Sequence, residues 1–64
     1  MFCEWSGNTT ELYTDNRQFW RRFHTRLPVQ CATVSGEENN ARVSITLNNG
    51  RTEVYSGTGA LIRR

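Results

Sequence analysis

Four arginines, Arg17, Arg21, Arg22 and Arg26, are the residues on which chemistry could concentrate in this chain. A guanidinium presents a planar fork of five donors that fits a phosphate or a carboxylate, where a lysine presents only a point charge. Read as a helix, their spacing makes two i,i+4 pairs, Arg17 with Arg21 and Arg22 with Arg26, all on one side. A basic helix face of this kind suits a nucleic-acid groove or an acidic protein surface. The same pattern also describes a solvated face whose arginine stems cover the edge of a core. All 8 cationic residues are arginine, against 6 acids, for a net charge of +2. That excess equally fits the coding bias of a GC-rich genome.

Other reactive side chains are scattered. His24 is the only histidine, which excludes a histidine-rich metal cluster, and nothing beside it supplies a third group or an oxyanion donor for a Cys31–His24 nucleophile. Cys3 and Cys31 lack the close spacing of a metal knuckle or redox pair and read as two reduced thiols, with a disulfide as the alternative. Glu37-Glu38 reads as a solvated loop, because paired carboxylates divide acid and base work only in a pocket that separates their pKa values. Ser56-Gly57-Thr58-Gly59 lacks the lysine and following helix of a phosphate loop and reads as a bulge or bend at a sheet edge. Asn8-Thr9-Thr10 matches a glycosylation acceptor by chance, without a secretion signal. No cofactor or metal is expected.

The element that must position the arginines is a helix from Asp15 to Leu27. Asp15 can cap its first turn, Gln18 can complete a capping box, and Pro28 stops it. Phe19, Trp20, Phe23 and Leu27 then form an apolar stripe opposite the arginines. After Pro28, Val29 to Ser35 reads as a strand, followed by a polar loop. Arg42 to Leu47 alternates polar and apolar residues, and Asn49-Gly50 predicts a two-residue type I′ hairpin. That turn sets Ile45 opposite Val54, Leu47 opposite Thr52, Ser44 opposite Tyr55 and Thr46 opposite Glu53. The helix stripe then seats on Val43, Ile45, Leu47 and Val54. Ala60-Leu61-Ile62 adds a short edge strand. At the N-terminus, Ser6-Gly7-Asn8 separates two segments that can pair as a hairpin, the alternative being one strand and a loop. A two-residue turn there sets Glu4 opposite Glu11, a like-charge pairing that a three-residue loop avoids.

The expected fold is therefore α+β: one amphipathic helix packed on a small antiparallel sheet, a three-stranded meander with an N-terminal strand or hairpin. Residues 1–64 form a single small domain, since a chain of 64 residues buries only about 60% of its unfolded surface and has room for one core. The apolar stretches are far shorter than the roughly 20 residues of a membrane span. Without a cationic leader before Glu4, the chain is expected in the cytoplasm. With no room for a deep pocket, it is expected not to be an enzyme. The function these features imply is binding or regulation. The arginines Arg17, Arg21, Arg22 and Arg26 would meet a polyanionic partner, nucleic acid first. The alternative is a small inhibitor or adaptor, in the size class of phage or mobile-element proteins, that docks on an acidic host protein. Arg42, Arg51 and Arg63-Arg64 could extend the patch, and an unpaired edge at Val29 to Ser35 or Leu61-Ile62 could join two copies.

Overall fold

The computed structural model describes residues 1–63. Seven strands follow one another: β1 (Phe2–Ser6), β2 (Thr9–Tyr13), β3 (Phe19–His24), β4 (Val29–Ser35), β5 (Arg42–Leu47), β6 (Thr52–Ser56) and β7 (Leu61–Arg63). A 3-10 turn at Glu38–Asn40 interrupts the loop before β5. The strands form two antiparallel meanders, β1-β2-β3 and β4-β5-β6-β7.

This corrects the expected α+β architecture. No α-helix is present among the described residues, and the segment read as the amphipathic helix is the turn 14–18 followed by β3. Two physical facts account for the change. Phe19, Trp20 and Phe23 are aromatic, and such side chains fit a pleated, half-buried surface better than a helix. Arg17 has φ 66°, a left-handed conformation that ends any helical turn at that point. Asp15 caps nothing: its carboxylate accepts from the amino group of Met1 at 2.7 Å. Gln18 closes the turn instead, its carbonyl accepting the Thr14 N–H at 2.9 Å while the Arg17 N–H donates to the Thr14 carbonyl.

The apolar spacing that suggested a helix comes from a β-bulge. In the ladder between β2 and β3, Leu12 faces Arg21 and Tyr13 faces Phe19, so Trp20 is the extra residue. The expected stripe therefore splits. Phe23 is buried, whereas Phe19 and Leu27 are exposed.

The hairpin at Asn49-Gly50 forms, shifted by one residue from the expected register. The pairs are Thr46 with Thr52, Ile45 with Glu53, Ser44 with Val54 and Val43 with Tyr55. The Gly50 N–H donates to the Leu47 carbonyl, the Leu47 N–H donates to the Arg51 carbonyl, and Gly50 has φ 88°. That is a three-residue loop, a tight turn followed by a left-handed glycine, rather than the two-residue type I′ turn. Val54 moves to the face of Ser44 and Thr46 as a result, and Tyr55 takes its place beside Val43. At the N-terminus the two-residue turn at Gly7-Asn8 does form, with Glu4 opposite Glu11. Arg22, across from Glu11 on β3, offsets that repulsion.

The core lies between the two sheets. Leu12 and Phe23 come from the first, and Ala32, Val43, Ile45 and Leu47 from the second. Fully burying the larger of these, Leu12, Phe23, Val43, Ile45 and Leu47, stabilises by about 1.5–3 kcal/mol each. The sheets are tied at both ends by hydrogen bonds to backbone carbonyls. At one end the Val29 N–H donates to the Gly7 carbonyl, while the Asn8 side-chain amide donates to the Thr25 and Arg26 carbonyls and holds the β3–β4 connection in place. At the other end, the Gly57 carbonyl accepts from Trp20 Nε1 at 2.9 Å and from Arg21 Nε at 3.3 Å. The bulge makes this double contact feasible, since it lets two consecutive side chains reach the same side of the strand.

Candidate functional site

The outer face of the first sheet carries a connected row of aromatic and charged side chains. On β1 and β2, every second residue turns away from the core, which places Phe2, Glu11 and Tyr13 together. Phe2 stacks on Tyr13 with ring centroids 5.2 Å apart, and Tyr13 meets the edge of Phe19 at 6.0 Å. The Arg22 guanidinium lies 5.5 Å from the centre of the Phe19 ring, within cation–π range. Phe19 opens the edge strand β3 and, at 54%, is the most exposed large hydrophobic side chain among the described residues.

Glu11 organises the charges on this face. Arg22 donates to one of its carboxylate oxygens through Nε at 3.0 Å and Nη2 at 2.8 Å, and the Tyr13 hydroxyl donates to the other at 3.0 Å. The Arg22 bond, then the Tyr13 bond, hold the Glu11 carboxyl below its ordinary range. The same bond to Glu11 raises the Tyr13 hydroxyl above its usual value. Both side chains are thereby fixed, so the aromatic row presents a preformed surface.

Further along β3, the face runs into a cleft of about 790 Å³ between the β3–β4 loop and the second sheet. His24, Arg26, Arg51, Glu53, Tyr55 and Leu61 are among the residues that line it. His24 Nδ1 lies 3.3 Å from the Thr9 hydroxyl. The Tyr55 hydroxyl donates to the Glu53 carboxylate at 2.8 Å, and the Tyr55 ring is braced by Phe23 with centroids 5.0 Å apart.

The four arginines expected on one helix face are divided by the strand. Arg22 stands on the aromatic face, while Arg21 is committed to the Gly57 carbonyl, with its side chain against Gly59. Arg17 sits in the turn before β3, and Arg26 lines the cleft. Strand geometry separates neighbours such as Arg21 and Arg22 onto opposite faces, where a helix would have kept them adjacent. Phe2, Tyr13, Phe19 and Glu53 are the site residues that the sequence reading missed. The alternation through β2, Thr9, Glu11 and Tyr13 against Thr10 and Leu12, was the signal that could have found the row.

The other reactive groups stay apart. Cys3 and Cys31 are free thiols, and partial burial raises the pKa of Cys3. Among the described residues no three histidine, cysteine or acidic side chains converge as a metal site, and no helix is long and apolar enough to cross a membrane. No family model, curated protein or solved structure matches this chain.

Proposed function

We propose that this protein is a non-enzymatic binding module for single-stranded nucleic acid, with the outer face of β1-β2-β3 as its platform. The observation that carries the reading is the row Phe2, Tyr13 and Phe19 with Arg22 beside Phe19. Bases have apolar π faces, and stacking on aromatic side chains is worth about 1–3 kcal/mol per base regardless of sequence. A duplex hides those faces within its own stack, so an aromatic sheet surface suits an unpaired strand. Arg22 stands on this platform, with Arg17 in the turn before it and Arg26 in the cleft beyond it, and these would supply phosphate contacts, whereas Arg21 lies on the opposite side of β3, against Gly57. Since Arg22 is shared with Glu11, stacking rather than charge provides most of the affinity. Two free thiols suit a reducing, cytoplasmic setting.

Fluorescence anisotropy with labelled single-stranded and duplex oligonucleotides tests this. Binding to the single strand is expected to be the tighter, with a log-log salt slope of roughly −0.7 per phosphate contacted. Phe19→Ala is expected to weaken it about fivefold or more, the lower end of the stacking range. Equal affinity for duplex, or full affinity in Phe19→Ala, would overturn the reading. The alternative partner, an acidic protein, draws on the same pairing of arginine with exposed aromatics. Stoichiometric capture of one protein from a nuclease-treated lysate, lost in Phe19→Ala, together with no oligonucleotide binding, would favour it.

A further inference from the structure

We infer that the cleft beyond His24 receives one unstacked base of the same strand and selects a base that carries an exocyclic amino group. This rests on the single-strand reading above and adds a sequence preference to it. Four observations converge. First, the cleft continues the platform: Arg22 and His24 are alternate residues of β3, and His24 lines the cleft. Second, at about 790 Å³ the cleft falls in the roughly 300–1,000 Å³ range of small-ligand sites, so a single nucleotide fits.

Third, its charges are sorted in the way a nucleotide requires. Arg26 and Arg51 supply guanidinium groups for a phosphate, and Leu27, Leu47 and Leu61 give apolar wall for a base. Fourth, Glu53 is partly buried and held by the Tyr55 hydroxyl, which leaves a fixed carboxylate with spare acceptor positions and no donor. An ionised carboxylate accepts from the amino group of cytosine, as Glu and Asp do in groove readout, and repels a carbonyl oxygen at the same place. Cytosine presents its N4 amino group where thymine presents O4. A cleft built around Glu53 therefore prefers cytosine to thymine, whereas the stacking platform is indifferent to the choice.

Anisotropy titrations with fluorescein-labelled oligodeoxycytidine and oligodeoxythymidine of equal length separate the two claims. They are run in about 50 mM salt, where phosphate contacts are strong, and at mildly alkaline pH to keep the cytosine strand unpaired. The wild-type protein is expected to bind the cytosine strand about tenfold tighter, within the range of one good base contact. Glu53→Gln keeps an acceptor for Tyr55 and adds a donor, so it is expected to fold normally and to bring the two affinities together. Arg26→Ala with Arg51→Ala is expected to weaken both strands alike and to flatten the salt slope by about 1.4, two phosphate contacts. Equal affinities in the wild type, or a preference that survives Glu53→Gln, would overturn the cleft inference and leave the platform standing. No binding of either strand would overturn both.

Discussion

Thr10 offers the sharpest test of how the two sheets pack. It is fully buried between Trp5 on β1 and Phe23 on β3, and its hydroxyl has no hydrogen-bond partner among the described residues. A buried hydroxyl left without a partner costs about 1–3 kcal/mol of desolvation. Thr10→Val replaces that hydroxyl with a methyl group of nearly the same shape and keeps the β-branch that suits a strand. The expected result is a gain of about 1 kcal/mol, which in a domain this small raises Tm by roughly 4–8 °C. Thr10→Ser is the control: it keeps the hydroxyl, removes the methyl, and is expected to lose about 1 kcal/mol through the lost apolar contact and the small void. Thermal melts followed by circular dichroism at one protein concentration read both. A lower Tm in Thr10→Val with wild-type stability in Thr10→Ser would refute the reasoning, because it would show that the hydroxyl is bonded and the methyl idle.

Two further perturbations address the sheet contacts. At Gly57 a Cβ would collide with the Glu38 carbonyl oxygen, a backbone atom that cannot swing aside. Gly57→Ala is expected to destabilise by at least the 1–3 kcal/mol or so typical of overpacking, and to alter Trp20 fluorescence, since the indole bonds to the Gly57 carbonyl. An unchanged urea midpoint would contradict the close approach. At Glu11, a carboxyl pKa lowered by Arg22 and Tyr13 means that the folded state favours the ionised form. Its contribution is complete above the ordinary glutamate range and is lost as pH falls through the depressed folded value. Urea melts between about pH 5 and pH 2 are expected to show a shallower acid limb in Arg22→Ala than in the wild type.

The second sheet was largely legible in the sequence, because alternation through Arg42–Leu47 and the turn at Asn49-Gly50 are local signals that the fold keeps. Its register was missed by one residue, since Asn-Gly serves both a two-residue turn and a three-residue loop that ends in a left-handed glycine. The first sheet was half legible. The N-terminal hairpin was readable, but β3 was mistaken for a helix because one bulged residue, Trp20, converts strand spacing into a pattern close to helical. Capping signals at Asp15 and Gln18 strengthened the error, as residues that favour helix starts also favour turns. The candidate site followed the error. Four arginines that a helix would gather were dispersed by a strand, and the aromatic row appeared only when β1, β2 and β3 were placed side by side. The cleft depends on residues as distant in sequence as His24 and Leu61, which no local pattern connects.

The plain order of the strands has a kinetic consequence. Every ladder among the described residues joins strands that are consecutive along the chain, so each meander can assemble by closing one short loop after another. Closing short loops costs little entropy, and proteins dominated by such local pairings reach their native state faster than barrels and sandwiches built from distant strands. The bonds from Trp20 and Arg21 to Gly57 span 37 and 36 residues, and they belong to a different event, the docking of one finished meander on the other. Because the core is shared between the two sheets, neither meander is expected to be stable until they dock, and the Trp20 indole sits where that docking can be watched by its fluorescence.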